Sequence, residues 1–247
     1  MKAMLFAAGL GTRLYPHTAD RPKALVEING KTLLELAVNR LREHGAEQIV
    51  VNIHHFAAKM LSFLKEQNYF DGVVTVSDET GQVLETGGGL QKASKFFQGG
   101  APFLVYNVDV VTDLSLSDLY ETHLKSGALA TLAVRDRSTS RYLLFDETYQ
   151  LCGWEHAKHE QFRMARIGEG NLSRRAFSGV HVISPELLGM MKHKGVFSII
   201  ETYLDLAANH QIKAFLHNDS VWMDIGKPDA LAKAREMAKK GLAGKLF

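Results

Sequence analysis

The feature that most constrains this chain is an apolar run at residues 1–6 that leads directly into a glycine-rich turn. The turn contains Gly9 and Gly11, and two cations, Arg13 and Lys23, follow it closely. Glycines have no Cβ atom, so main-chain N–H groups at the end of a strand can surround an anion. The arginine and the lysine supply opposing charge. The pattern therefore predicts a polyphosphate site directly after the first strand.

Two familiar phosphate-binding motifs do not fit this turn. The dinucleotide fingerprint G-x-G-x-x-G requires a third glycine where this chain has Leu14, and no G-x-x-x-x-G-K-[ST] loop occurs in the sequence. The glycines alone also suit a plain strand-to-helix turn that needs only small residues. Arg13 and Lys23 favour the phosphate site.

Composition limits the class of protein. The chain has 247 residues, 46% of them apolar, a formal charge of +2 and a single cysteine, Cys152. This is enough apolar material for one large α/β domain. The lysines and arginines are scattered rather than clustered in runs, so the sequence does not indicate binding to nucleic acid. One cysteine forms no internal disulfide. With no leader and no apolar run of about 20 residues, we expect a cytoplasmic protein without a membrane partner.

Residues 1–134 alternate short apolar runs with amphipathic segments, which predicts an α/β, Rossmann-like, mostly parallel sheet flanked by helices. Thr32 and Glu35 form a capping-box signal for one helix. The predicted strands lie at 1–6, 49–53, 73–76, 103–107 and 129–134, and the predicted helices at 32–41, 56–67, 90–97 and 115–127.

The pattern changes after residue 134. Strand-like runs at 142–145 and 151–154 predict a small antiparallel hairpin that forms one wall of a substrate cleft. A strand at 176–183 follows, with Ser184 predicted as a helix N-cap, and Ser198 and Glu201 repeat the capping box. We expect a single domain, 1–247, with a nucleotide part at 1–134, a sugar-phosphate part at 135–227 and a C-terminal helix in 228–247.

Two aspartates follow apolar runs at predicted strand ends. Asp109 follows the buried run that ends at Asn107, and Asp224 is followed by Gly226 and a helix-opening proline, Pro228. Ligands in open α/β sheets bind at the carboxyl ends of strands, and Mg²⁺ prefers carboxylates combined with phosphate oxygens. Asp224 alone also suits an ordinary turn. From the residues alone, therefore, only Asp109 predicts a magnesium site.

The order of these motifs, with a second glycine-rich run at residues 84–89, resembles the sugar-phosphate nucleotidylyltransferases, which join a nucleoside triphosphate to a sugar 1-phosphate. The matching motifs extend from residue 5 to residue 228. The run at 85–89 is similar to that of short bacterial members, including mannose-1-phosphate guanylyltransferase-like proteins and N-acetylmuramate-1-phosphate uridylyltransferases. One departure is Val108, where glycine is more usual.

The resemblance implies the nucleotide-diphospho-sugar transferase fold and a role for each matching residue. Arg13, Lys23 and Asp109 are implied to be catalytic, and Asp109 and Asp224 to hold Mg²⁺. The residues implied to contact the nucleotide are Ala8, Gly9, Gly11, Thr12, Glu85, Gly87, Gly88 and Asn107. On the sugar-phosphate side they are Arg141, Lys158 and Gly179, where the match to the family is less direct.

The implied reaction gives a nucleotide sugar and pyrophosphate, with GTP or UTP as donor and a hexose 1-phosphate as acceptor. A nucleotide-sugar sensor that lost the chemistry is one alternative, although retention of both aspartates with Arg13 and Lys23 disfavours it. An NAD-dependent oxidoreductase is another. It would need a third glycine in the turn and an acidic residue at the end of the second strand, whereas this chain lacks that glycine and has His54 and His55 at the strand end.

Overall fold

A computed structural model describes residues 1–241 and 246 of the chain. The strands are β1 (Lys2–Phe6), β2 (Glu27–Ile28), β3 (Lys31–Thr32), β4 (Gln48–Ile53), β5 (Val74–Asp78), β6 (Phe103–Asn107), β7 (Val110–Thr112), β8 (Ala130–Arg135), β9 (Arg141–Phe145), β10 (Leu151–His156), β11 (Gln161–Met164), β12 (Ser173–Ile183), β13 (Ile212–Leu216) and β14 (Trp222–Asp224). The helices are α1 (Leu33–Glu43), α2 (Ala57–Glu66), α3 (Asn68–Asp71), α4 (Glu85–Ala93), α5 (Leu116–Ser126), α6 (Glu186–Met190), α7 (Ile199–Ala207) and α8 (Pro228–Lys239).

The chain forms two compact units, and the first combines Met1–Glu85, Tyr106–Leu114 and the described residues from Ser220 onward. Its core is a parallel sheet in which β4 lies between β1 and β5. Strands β1 and β4 are buried apart from their first residues, as expected for parallel strands covered on both faces, whereas β5 is only partly buried. A separate antiparallel pair joins β7 to β14 and places Asp224 opposite Val110.

The second unit combines Thr86–Val105 with Ser115–Asp219. Strand β8 pairs with β12 in the antiparallel direction and with β13 in the parallel direction. The hairpin predicted after residue 134 is confirmed, because β9 and β10 are antiparallel neighbours. A third strand, β11, extends it and was not predicted.

Several helices begin at the residues that the sequence indicates. The capping box of α1 is complete, since the Thr32 hydroxyl accepts from the Glu35 N–H and the Glu35 carboxylate accepts from the Thr32 N–H. Ser115 caps α5, which ends at Gly127 in the left-handed conformation. Helix α8 has Pro228 in its first turn, where a missing N–H costs no hydrogen bond.

Two predicted helix starts and one predicted capping box need correction. Helix α4 begins at Glu85, so the glycines after it lie inside the helix rather than before it. The Ser184 hydroxyl donates to Ala128 O instead of capping α6, whose N-cap is Pro185. Ser198 does cap α7, but its hydroxyl accepts from Ile200 N. The Glu201 carboxylate instead binds Arg163, so the predicted capping box is absent there.

The predicted single domain stays a prediction, because the division into compact units does not test where functional domains begin and end. Among the residues that the structure describes, no helix is both long and apolar enough to cross a bilayer.

Candidate active site

The turn after β1 has the conformation that its glycines suggest. Gly11 has a φ of +69°, in the left-handed region that favours glycine. A Cβ atom there would lie 3.2 Å from Lys23 Cβ and 3.0 Å from Thr18 Cγ2. The Thr18 hydroxyl donates to Gly11 O over 2.9 Å and fixes the turn against the following loop. Glycine is therefore favoured at position 11 both by the positive φ angle and by the close approach of the Lys23 side chain.

Lys23 and Asp109 form an ion pair in the first unit. Their side chains are only 11% and 21% exposed, so the attraction is less screened than that of a surface pair. The turn that carries Asp109 is fixed on both sides. Val108 N donates to Phe6 O over 3.1 Å, and Ile225 N donates to Asp109 O over 2.8 Å. The structure thus brings the predicted lysine and the first predicted aspartate together.

Arg13 and Asp224 meet at Gly226. A Cβ atom on Gly226 would lie 2.9 Å from Arg13 Nη2 and 2.6 Å from Asp224 Oδ1. Both charged groups therefore face the same buried glycine. Ile225, the residue after Asp224, donates its backbone N–H to Asp109 O. The two predicted aspartates therefore lie on neighbouring stretches of backbone. The charged residues implied to carry catalysis and to hold the metal, Arg13, Lys23, Asp109 and Asp224, therefore converge in one unit.

Sequence reasoning missed two buried polar residues beneath the phosphate loop, Asn52 and Glu79. Asn52 Oδ1 accepts hydrogen bonds from Ala7 N at 2.7 Å and from Ala8 N at 3.3 Å. Asn52 Nδ2 donates to Glu79 Oε1 at 2.8 Å. The signal that reveals Asn52 is a polar residue within the apolar run of β4. Of the predicted nucleotide contacts, Gly9 and Thr12 are exposed, Asn107 is half-buried, and Ala8 is buried.

The glycines of α4 have a packing role in the second unit. A Cβ atom on Gly87 would lie 2.3 Å from the Phe197 ring, and the N–H groups of Gly87 and Gly88 donate to Phe197 O. Thr86 Oγ1 accepts from Ile199 N over 3.0 Å and joins this turn to α7. Contact of Glu85, Gly87 and Gly88 with a nucleotide stays a prediction.

The predicted sugar-side cations lie at one end of the β9–β10 hairpin. Arg141 is opposite His156 in the register, and Lys158 follows in the next turn. Both cations are exposed. Gly179 has a φ of +76° where the β8–β12 register shifts, the geometry of a bulge. Their contact with a sugar phosphate stays a prediction.

An ion-pair network joins the hairpin to α7. Arg163 on β11 binds Glu201 and Asp205, each over 2.6 Å, and His193 Nε2 lies 2.8 Å from Asp205. Burial by itself would raise the pKa of Asp205, but hydrogen bonds from Arg163 and His193 hold that pKa below its ordinary value. The network fixes the outer strand to the helix.

A cavity of about 760 Å³ in the first unit lies between α1 and β7. Its lining includes Asn39, Arg40, Tyr106 and Thr112. The predicted phosphate-site residues do not line it, so the size of this cavity does not identify the reaction site.

Comparison with known proteins identifies the family. The family model described as "Nucleotidyl transferase" matches residues 2–147, which is more than half of the chain. The chain belongs to the nucleotidyl transferase family. The resemblance drawn from the motifs is confirmed, and with it the prediction of an enzyme that transfers a nucleotidyl group to a sugar 1-phosphate.

Curated relatives of this nucleotidyl transferase differ in length. It is 33% identical to the N-acetylmuramate alpha-1-phosphate uridylyltransferase of Caulobacter vibrioides, with 92% of this chain and 93% of that protein covered. It is 31% identical to the probable mannose-1-phosphate guanylyltransferase 1 of Oryza sativa subsp. japonica, where the match spans 92% of this chain but 62% of that protein. It also spans 61% of a UTP–glucose-1-phosphate uridylyltransferase of Synechocystis, at 29% identity.

Solved structures support the fold of this nucleotidyl transferase. HddC from Yersinia pseudotuberculosis matches with a TM-score of 0.75 and 23% identity over 96% of this chain and 99% of that chain. A UDP-glucose pyrophosphorylase complexed with UDP-glucose matches with a TM-score of 0.76 and 18% identity over 97% and 99% of the two chains. The prediction of a mostly parallel sheet flanked by helices, of the nucleotide-diphospho-sugar transferase type, is confirmed.

Proposed function

We propose that this nucleotidyl transferase joins the uridylyl group of UTP to N-acetylmuramate 1-phosphate, with Mg²⁺ as cofactor and pyrophosphate as the second product. The observation that supports the chemistry is the convergence of two cations with two carboxylates. Lys23 pairs with Asp109, and Arg13 and Asp224 face the same glycine.

The reaction needs positioning and charge stabilisation more than it needs a base. The second pKa of a phosphate monoester is about 6, so a sugar 1-phosphate is largely dianionic at neutral pH and its oxygen is already a nucleophile. Bringing this dianion to a triphosphate creates strong repulsion, which fixed positive groups reduce. The convergence of cations at the phosphate turn suits that task.

We assign a role to each cation. In an in-line attack on the α-phosphorus, Lys23 lies beside the α-phosphate and the attacking phosphate. Arg13 stabilises the negative charge that develops on the departing pyrophosphate. The bond from the α-phosphorus to the bridging oxygen breaks as the new bond forms, and both electrons leave with pyrophosphate. No proton transfer is required of the protein.

The donor set suits a magnesium ion. Asp109 and Asp224 offer carboxylate oxygens from neighbouring strand ends, and no group of three or more metal-ligating side chains occurs in the described part of the chain. Mg²⁺ is usually held by one or two carboxylates, with phosphates and waters completing its shell. When bound, the ion would neutralise phosphate charge.

The acceptor is inferred from charge and from the Caulobacter relative, which is 33% identical to this chain. N-acetylmuramate 1-phosphate carries a carboxylate in addition to its phosphate. Two exposed cations at one hairpin end, Arg141 and Lys158, suit an acceptor with two anionic groups.

A pyrophosphate-release assay with Mg²⁺ tests the substrates. We expect the highest kcat/KM for UTP with N-acetylmuramate 1-phosphate in a grid of GTP, UTP, CTP, dTTP and ATP against the 1-phosphates of mannose, glucose, N-acetylglucosamine and N-acetylmuramate. Preference for GTP with mannose 1-phosphate would contradict the substrate assignment but retain the reaction. Tight nucleotide-sugar binding without turnover of any pair would favour a sensor.

Substitutions test the roles of the charged residues. Lys23→Ala and Asp109→Ala should each lower kcat by about 10²–10³-fold, the range seen when one stabilising group is lost from an active site. Lys65→Ala, which removes an exposed lysine of α2, serves as the control and should retain the wild-type rate. Near-normal turnover by either purified active-site variant would contradict the scheme.

A further inference from the structure

Asn52 lies where three parallel strands end. It is the penultimate residue of β4, the strand between β1 and β5, and it is 2% exposed. Its neighbours in β4 are apolar, so a polar side chain here requires partners. The partners are the peptide groups that follow β1, at the start of the phosphate turn. Asn52 therefore acts on the backbone of that turn.

The orientation of the Asn52 amide follows from its partners. Backbone N–H groups only donate, so the oxygen of Asn52 faces Ala7 and Ala8, and Nδ2 faces the carboxylate of Glu79. Glu79 is 1% exposed and is itself fixed. Its N–H donates to Ile53 O over 2.8 Å, and its carbonyl accepts from His54 Nδ1 over 2.7 Å. A buried carboxylate thus holds the amide in one orientation.

We propose that Asn52 and Glu79 are positioning residues for the nucleotide phosphates. Asn52 binds the N–H groups of Ala7 and Ala8, so the donors of the turn that remain for a phosphate begin at the exposed Gly9. Binding two successive N–H groups fixes the peptide planes that lead into the turn. Preorganised donors bind a phosphate without the cost of ordering the loop first. The proposal depends on the proposed function only for the ligand, a nucleoside triphosphate.

The pair permits a test by exchange of its two groups. Asn52→Asp replaces Nδ2 with an oxygen 2.8 Å from Glu79 Oε1, so two carboxylates would face each other and the side chain at position 52 would lose its hydrogen bond to Glu79. Adding Glu79→Gln places an amide opposite the new carboxylate and restores one donor, one acceptor and one negative charge. The double variant keeps both acceptor contacts to the turn.

We expect Asn52→Asp to weaken equilibrium binding of UTP and to raise the KM for UTP by about ten-fold or more, where ten-fold corresponds to about 1.4 kcal/mol. The KM for the sugar 1-phosphate should stay within about two-fold, because the effect acts on the phosphate turn rather than on stability. The double variant should bind UTP within about three-fold of wild type, because substitutions at two residues in contact are not additive and the second restores the hydrogen bond that the first removes. Asn209→Asp, the same change at an exposed site, is the control.

The outcomes separate this proposal from the proposed function. Unchanged UTP affinity in folded Asn52→Asp would overturn the positioning role, as would a folded double variant that binds UTP as weakly as the single one. If Asn52→Asp does not fold, affinity of the double variant decides the question. The proposed function would be overturned if the wild-type enzyme turned over no substrate pair. The positioning role would still be supported in that case if UTP binding were lost in Asn52→Asp and restored in the double variant.

Discussion

His181 should make the protein sensitive to acid. The residue lies on β12 and is 1% exposed, and its ring stacks on Phe177 and meets the edge of Tyr203. Neither ring nitrogen has a hydrogen-bond partner among the residues that the structure describes. Burial lowers the pKa of His181 from 6.5 to about 3. The folded state therefore holds His181 neutral under conditions in which the unfolded chain protonates it.

The sign and size of the effect follow from this difference in pKa. Above pH 6.5 both states are neutral and His181 adds no pH dependence. Below pH 6.5 the unfolded state binds the proton first, so the free energy of unfolding decreases until the pH reaches the folded pKa. At pH 5 the loss from this one residue is about 2 kcal/mol relative to pH 8. His123, whose pKa burial lowers to about 4, adds a loss of the same sign.

Urea unfolding at pH 8 and pH 5 measures the effect in wild type and in His181→Phe. The substitution removes the titrating group but keeps an aromatic ring against Phe177 and Tyr203. Comparing the change with pH within each protein cancels any change in packing. We expect the stability loss on acidification to be about 2 kcal/mol smaller in the variant. The same loss in both proteins would refute a neutral, buried His181 as its source.

Three further substitutions test particular contacts. Gly226→Ala should lower kcat by about 10²-fold in the pyrophosphate assay, because its Cβ would displace the guanidinium of Arg13; an unchanged kcat would contradict the placement of Arg13. Gly87→Ala should lower the free energy of unfolding by about 1–3 kcal/mol through overlap with Phe197; thermal unfolding measures this, and an unchanged Tm would refute the overlap. Thr32→Ala should cost about 1 kcal/mol by urea unfolding through loss of the α1 cap, and equal stability would count against the capping box.

Local signals in the sequence predicted much of the fold and the charged part of the site. The capping box at Thr32 depends on residues within one turn, and Asp109 follows an apolar run, so both features are visible without the structure. Strand β11 was missed because it has only four residues and is largely exposed, so its alternation of polar and apolar residues is too short to predict a strand. The contact between Asn52 and Glu79 was missed because it depends on which strands become neighbours.

The pairing of β14 with β7 determines when the site can exist during synthesis. Asp109 is made long before Ile225, whose peptide N–H binds the carbonyl of Asp109. A nascent chain that already contains the phosphate turn, Lys23 and Asp109 therefore still lacks the strand that brings Asp224 to them. Closing so long a loop is slow compared with forming local helices. Nucleotide binding should consequently appear only after β14 has left the ribosome, so that no shorter nascent chain competes for substrate.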